Sequence, residues 1–267
     1  MKISVVIPYY NGKKYIYKAI ASCHSDDMEI IVVDDNAPDP FSYEGQQPVK
    51  IIRLAENVGQ GMARNAGLDA ASGDWITFLD QDDEFLIDID VFFKLIPAES
   101  QAVWTQTIYV TQEGKQAIYN ENLSLVHGKF YRRQWLIDND IRFSESCRYY
   151  EDIYFCNLLI PYLEADECAR MEIPTYVWYQ NPEQQTANGD YDYEHLDCMI
   201  KSNFDIYIRH FRRKLLSPEQ ASFCVRAATK QAITIIEKHN GEKDYPEKVC
   251  LLDNALKKAA KAGIKIM

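Results

Sequence analysis

No stretch of this 267-residue chain approaches the roughly twenty uncharged apolar residues that a membrane-crossing helix needs, so none is expected. Its 7 cysteines are odd in number and form no C-x-x-C pair, which argues against a disulfide framework and against a zinc site. They fit buried thiols in a reducing compartment. Gly59-Gln60-Gly61 lacks the third glycine of the dinucleotide fingerprint, Arg64 standing in its place, so a nicotinamide enzyme is not indicated. A cleavable leader is not expected either: Ile3 to Ile7 is the only apolar run before Cys23, and Pro8, Asn11, Lys13, Lys14 and Lys18 break up the stretch after it. The expected location is cytoplasmic. Internal repeats and low-complexity tracts are absent.

What the chain does have is a 47% hydrophobic composition, ample for a core, and a net charge of −11 that is unevenly spread. Residues 201–267 hold 14 Lys+Arg against 7 Asp+Glu, a net of +7, while residues 1–200 hold 15 against 33, a net of −18. So acidic a body repels a polyphosphate, and nucleic acid is a poor partner for it.

Near-continuous apolar runs at Ile3 to Ile7, Glu29 to Val33, Val49 to Leu54 and Trp75 to Leu79 read as strands covered on both faces. Helical spacing from Tyr15 to Cys23 and from Gly59 to Ala71 alternates with them, giving an α/β fold. Further on, Asp88 to Ile96 reads as helix, Ala102 to Val110 as strand, Gly114 as a turn and Lys115 to Tyr119 as a returning strand. Phe130 to Asn139 and the stretch from Tyr150 to about Leu163 read as helix, and Ile173 to Tyr179 as strand. Three helices are expected at about 191–214, 218–239 and 246–262, punctuated by Pro218, Gly241, Pro246 and Gly263. These readings place one domain at 1–187, with halves 1–100 and 101–187, and a helical region at 188–267.

The strand Trp75 to Leu79 runs straight into Asp80-Gln81-Asp82-Asp83-Glu84. Carboxylates so dense repel one another unless a cation sits among them, and hard divalent ions prefer carboxylate oxygen. Another strand ends in Asp34-Asp35. In open α/β sheets ligands bind at the carboxyl ends of strands, so the two acidic groups can line one crevice.

Six segments in order resemble the GT-A fold glycosyltransferases of family 2, particularly the bacterial enzymes of surface-glycan synthesis. They are Ser4 to Asn11, Ile31 to Asp35, Asn57-Val58-Gly59, Ala63 to Gly67, Asp80 to Asp83 and Glu151-Asp152. The resemblance implies a mixed sheet flanked by helices that binds a nucleotide-diphospho-sugar, most often UDP-linked, with the C-terminal helices as an appendage. It implies that Pro8, Tyr10, Asp35, Arg64, Asp80, His127 and Lys129 contact the donor, Tyr10 stacking on the base and Asp35 accepting from its edge. By the same resemblance Asp80 and Asp82 match the D-x-D pair that holds Mn²⁺ or Mg²⁺, with Asp82 ahead of Asp80 as direct ligand. Asp152 is implied as the general base for an incoming hydroxyl, with Glu151 beside it, giving inversion at the anomeric carbon. Arg132 and Arg133 fall in the stretch His127 to Arg133 and are implied as donor or acceptor contacts. Trp178 to Thr186 resembles a loop that folds over the donor, although Gln184 and Gln185 depart from the small residue common there.

Competing readings are an idle nucleotide- or glycan-binding module of the same fold, a sugar nucleotidyltransferase and a haloacid-dehalogenase-type phosphatase. The phosphatase wants Thr or Val where Glu84 stands, and the nucleotidyltransferase wants a Gly-rich basic loop where Pro8-Tyr9-Tyr10-Asn11 stands. The expected acceptor is a saccharide or a lipid-linked saccharide. Arg209 to Lys214 and Lys257, Lys258, Lys261 and Lys265 make the tail helices basic, which fits peripheral contact with the inner face of a membrane. That contact predicts greater recovery of the chain on anionic than on neutral liposomes; equal recovery removes it.

Overall fold

The computed structural model describes residues 1–86, 89–119, 125–145, 147–148, 151–162, 167–182, 193–238 and 245–265. Two compact units emerge, Met1–Phe143 with Tyr162–Asn188, and Ser144–Pro161 with Gly189–Met267. Residues 144–161, read from sequence with the first domain, thus group with the C-terminal helices.

In the first unit the apolar run at the N-terminus makes β1 (Ile3–Tyr9), buried along its whole length. Helix α1 (Lys13–Ser22) leads to β2 (Met28–Asp34) and then β3 (Val49–Arg53). Helix α2 (Gln60–Ala70) returns the chain to β4 (Trp75–Phe78) on the other side of β1. A Cβ at Gly67 would overlap the Val6 side chain, so glycine there lets α2 lie close on β1. After β5 (Glu84–Phe85) and α3 (Ile89–Leu95) come β6 (Ala102–Val110) and β7 (Gln116–Tyr119), joined through Gly114 at φ 78°. Then come β8 (Lys129–Arg132), α4 (Arg133–Asp138) and β9 (Cys168–Tyr179).

The sheet order is β3-β2-β1-β4-β8-β6-β9-β5, with β7 on β6. Strands β1 to β4 are mutually parallel, β8 is antiparallel to both β4 and β6, and β9 is parallel to β6. The expected α/β architecture with a mixed sheet is therefore the observed one. The chain winds outward from β1 to β3 and then crosses back to β4, so β1 and β4 flank the point where strand order reverses. That is where such sheets open a ligand crevice.

One expected helix is partly a strand. Residues 130–132, read as helix with the segment to Asn139, belong to β8, and helix begins only at Arg133. Phe130 packs beside Phe85 and Phe92, while Tyr131, on the opposite face, meets Phe78. A strand buried on both faces has no alternation, and periodicity cannot separate it from helix. Strand β9 likewise starts earlier than Ile173, with its register to β6 shifting between Trp104 and Thr107.

The second unit is helical: α5 (Glu151–Leu159), α6 (Tyr193–Arg212), α7 (Pro218–Lys238) and α8 (Tyr245–Lys261). The last three match the helices read from sequence. Part of the tail's positive charge is taken up internally, since Lys257 pairs with Asp253 and Lys258 with Asp205, both at 2.5 Å. His210, buried near the end of α6, has Nε2 at 3.4 Å from the Asn157 carbonyl.

Burial, with help from the nearby charges of Arg209 and Arg213, pushes the His210 imidazole from 6.5 down to about 4. The unfolded chain therefore binds a proton that the folded one refuses between these values. Stability is full above the unfolded pKa and falls as pH drops through this window, by up to about 3 kcal/mol. Denaturant unfolding measured from pH 7 to 4 should show that decline, and His210→Gln should flatten it; an unchanged slope would assign the decline to other groups.

Candidate active site

The carboxyl ends of β1 and β2 supply the first part of the site. Pro8 is buried in β1 level with Val33, and Tyr10, just past the strand, is 40% exposed. Tyr10 N–H donates to Gln81 Oε1 at 3.2 Å, tying this end of β1 to the acidic turn after β4. Asp34 serves structure: its buried carboxylate accepts from Ala37 N–H, Phe41 N–H and Arg53 Nη1 and so shapes the loop after β2. Asp35, whose N–H donates to the Tyr9 carbonyl at 2.9 Å, accepts from Val58 N–H on Oδ1 and from Gly59 N–H and Asn57 Nδ2 on Oδ2. The turn leading into α2 is thereby fixed, with Gly59 at φ 92°. Three of the carboxylate's roughly four acceptor positions are used, which leaves Oδ1 one for a further donor.

Asp80 is the hub of the second part. Its Oδ1 accepts from Arg64 Nη2 at 2.7 Å and Gln60 Nε2 at 2.8 Å, and its Oδ2 lies 3.0 Å from His127 Nε2. A carboxylate can only accept, so Nε2 carries a proton. The His127 ring lies parallel to that of Tyr176, centroids 4.7 Å apart. Tyr176 O–H accepts from Asp80 N–H at 3.1 Å and donates to Asp83 Oδ2 at 2.7 Å, while Tyr179 N–H holds Asp83 Oδ1 at 3.0 Å. Asp82 accepts from Asn181 Nδ2 at 3.0 Å. Lys129, at the start of β8, bonds the Leu125 carbonyl and has Nζ 5.7 Å from the Trp104 ring centre.

Opposite pressures act on the two carboxylates. Burial penalises the Asp80 charge, but Arg64 and His127 outweigh that penalty and hold its carboxyl far below the ordinary range. Asp83 is pushed well up, first by burial and then by the Asp80 and Asp82 charges, which His127 only partly offsets. Among the described residues, Asp80, Asp83 and His127 can bring ligand atoms within 4.8 Å of one another. Two carboxylates and an imidazole suit a divalent cation once Nε2 gives up the proton it donates to Asp80, and a cation would relieve the charge crowding at Asp83, so these residues fit the ion that the D-x-D pattern implies. Asp83, Gln60 and Tyr176 were not singled out from sequence. Asp83 lay within the acidic run, but Gln60 and Tyr176 carried no signal beyond their places on a helix and a strand.

Two expected contacts are corrected. Arg132 donates to the Ser100 and Ala98 carbonyls and lies over the Trp75 ring, and Arg133 Nε donates to the Gly73 carbonyl. Strand β8 runs antiparallel to β4 with Arg132 opposite Trp75, so both arginines sit at the amino end of β4, away from Asp80. They brace backbone rather than ligand. Glu151 and Asp152 occupy the first turn of α5 in the second unit, where the helix dipole favours negative charge. Of the loop from Trp178 to Thr186, residues 183–186, with Gln184 and Gln185, lie outside the described residues.

A family model described as Glycosyl transferase family 2 matches residues 4–155. The Staphylococcus aureus poly(ribitol-phosphate) β-N-acetylglucosaminyltransferase TarS is 28% identical over 218 residues, covering 72% of this chain and 38% of that protein. The Bacillus subtilis minor teichoic acid biosynthesis protein GgaA is 29% identical over 192 residues, covering 59% of this chain and 43% of that protein. The chain thus spans about two fifths of the length of these relatives. A crystal structure of residues 1–349 of S. aureus TarS with UDP-GlcNAc aligns with a TM-score of 0.60 at 22% identity, covering 98% of this chain and 73% of that one. A longer TarS structure gives 0.67 at 21%, covering 98% and 49%. These likenesses show a common fold.

Arg64 is 1% exposed and its partner Asp80 is 19% exposed, so the pair is far from a solvated surface bridge. Arg64→Met should strand the Asp80 charge and cost about 3 kcal/mol in urea unfolding; a loss within about 0.5 kcal/mol, the range of ordinary surface changes, would deny the pair its structural role.

Proposed function

This chain belongs to glycosyl transferase family 2, and from that membership we propose that it moves a sugar from a UDP-linked donor to a hydroxyl of a surface-glycan acceptor, inverting the anomeric centre. Membership sets aside the phosphatase. The observation that carries the reading is the joining of Tyr10, Asp35, Arg64, Asp80 and His127 at the carboxyl ends of β1, β2 and β4 and the start of β8. An exposed aromatic face beside a fixed acceptor suits a planar base, and the strand ends beside it suit a diphosphate.

In this reading Tyr10 stacks on the base and the remaining acceptor position of Asp35 takes a donor from its edge. Pro8 keeps the end of β1 straight beneath them. Arg64 and His127 are cations or donors at the point where the leaving diphosphate gathers charge, and Lys129 reinforces them from the start of β8. A Mn²⁺ or Mg²⁺ ion, held by Asp82 and Asp80 of the D-x-D pair, would supply further neutralisation of that charge. Asp152 takes the proton of the incoming hydroxyl, with Glu151 beside it orienting the acceptor; their support is the family resemblance and their position in the first turn of α5. The acceptor class is a saccharide or a lipid-linked saccharide, at the cytoplasmic face of the membrane, which the basic α6 and α8 would meet. No described helix is long and apolar enough to cross it.

Thermal melting of the full chain tests the donor half. UDP with Mn²⁺ should raise Tm by several degrees, on the order of 2–3 kcal/mol at saturating ligand, and EDTA should reverse most of the gain. Asp152→Asn should keep that shift yet lose about 10²-fold or more of sugar transfer. No response to UDP or any other nucleoside diphosphate would overturn the donor assignment, and undiminished turnover in Asp152→Asn would overturn the base.

A further inference from the structure

Strand alternation puts Tyr109 of β6, Tyr119 of β7 and Trp178 of β9 on one face of three neighbouring strands. The register pairs Tyr109 with Trp178 and Thr107 with Tyr119. Ring centres are 4.8 Å apart for Tyr109 and Trp178, 5.8 Å for Tyr109 and Tyr119, and 6.5 Å for Tyr119 and Trp178. The planes are inclined to each other by 55° to 83°, so the rings line a trough rather than a flat plate. Tyr119 is 45% exposed at its outer end, and the other two are half-buried. At the inner end, His127 lies 5.5 Å from Trp178 and hydrogen-bonds Asp80, which makes the trough continuous with the candidate active site.

Aromatic pairs across neighbouring strands steady a sheet, and Tyr109 of β6 against Trp178 of the parallel β9 does so here. That role does not require Tyr119 to stand half in solvent on a strand exposed along its whole length. We propose that the trough is the acceptor subsite and that its occupant is the pyranose ring of a neutral saccharide. The claim rests on the donor assignment and deepens it.

Two features choose this occupant. Strands β6 and β7 contain no charged residue and neither does the end of β9 from Pro174 to Tyr179, so among the described residues these strands bring no cation to the face, and the trough is uncharged along its length up to His127. A sugar ring presents C–H bonds on its face and hydroxyls at its rim. It can lay that face on π surfaces while its rim stays wet. Position along the sheet separates acceptor from donor. The base-binding groups stand at β2 and β1, Asp80 and Arg64 meet at the end of β4, and the trough begins beyond β8. A donor laid along this line puts its sugar next to His127, and the acceptor takes the space beyond. TarS, by its name, acts on a poly(ribitol-phosphate), an open-chain anion; an uncharged aromatic trough suits a ring sugar instead.

Saturation-transfer NMR on the full chain, with methyl β-D-glucopyranoside, methyl N-acetyl-β-D-glucosaminide and ribitol 5-phosphate as probes, tests this directly. Ring protons of at least one pyranoside should receive saturation, and ribitol 5-phosphate should give none. Tyr119→Ala, which opens no cavity because the ring is on the surface, should weaken pyranoside binding about tenfold, and Tyr119→Phe should restore it. Absence of any pyranoside signal, equal binding by Tyr119→Ala, or binding of ribitol 5-phosphate in preference would overturn the proposal. UDP-induced stabilisation, read on the same samples, keeps the two claims apart. A UDP response without pyranoside binding sinks the trough alone, whereas pyranoside binding without a UDP response sinks the donor assignment and, with it, the trough's role as acceptor subsite.

Discussion

Four carboxylates within five residues at the end of β4 are tolerable only because Asp80 is held on both oxygens. That constraint reaches well beyond the turn. Arg64 can meet Asp80 because α2 lies close on β1, which the missing side chain at Gly67 permits. Helix α2 starts where it does because Asp35 gathers the N–H groups of Val58 and Gly59. From the other side β8 must run next to β4 to deliver His127, and β9 must reach far enough to put Tyr176 beneath the imidazole and against Asp83. One carboxylate thus fixes the relation of two strands and a helix that come from distant parts of the chain.

The sequence made the parallel half of this arrangement legible. Strands β1, β2 and β4 are apolar on both faces and each stops at a polar turn, so their pattern and their ends announce themselves. The acidic run after Phe78 and the pair Asp34-Asp35 could be read as lining one crevice because strands in such a sheet end together. The antiparallel half was harder. Phe130 and Tyr131 are buried on opposite faces, which erased the alternation that distinguishes strand from helix, and β5 is too short to have a pattern at all. The resemblance of the whole stretch His127 to Arg133 carried Arg132 and Arg133 into the site along with His127. In a helix they would share a turn with Lys129; in an antiparallel strand each step from Lys129 to Arg132 moves away from Asp80 and toward the opposite edge of the sheet.

Sequence also divided the acidic cluster differently from the fold. The family resemblance selects Asp80 and Asp82 through their match to the D-x-D pair. The chain turns immediately, Asp83 N–H bonding the Asp80 carbonyl at 3.1 Å, and the turn brings Asp83 back beside Asp80. Burial and the neighbouring charges of Asp80 and Asp82 then push Asp83 well above the ordinary carboxylate range. Local spacing cannot report where Asp83 ends up, because Tyr176 O–H and Tyr179 N–H, nearly a hundred residues later, hold its carboxylate in the interior.

The two halves of the sheet differ in chemistry as they do in direction. On the parallel side, polar groups are concentrated at strand ends: Asp35 at β2, Tyr10 at β1, Asp80 at β4. On the antiparallel side the same face carries rings, with His127 and Tyr176 leading to Trp178, Tyr109 and Tyr119. A fixed charge binds strongly but makes exacting geometric demands, while an aromatic face is tolerant of the group laid upon it. In the proposed reading the first holds the diphosphate in one pose and the second receives the acceptor. His127 belongs to both sets, hydrogen-bonded to the carboxylate hub and in contact with the rings. In that reading it stands where the two substrates meet.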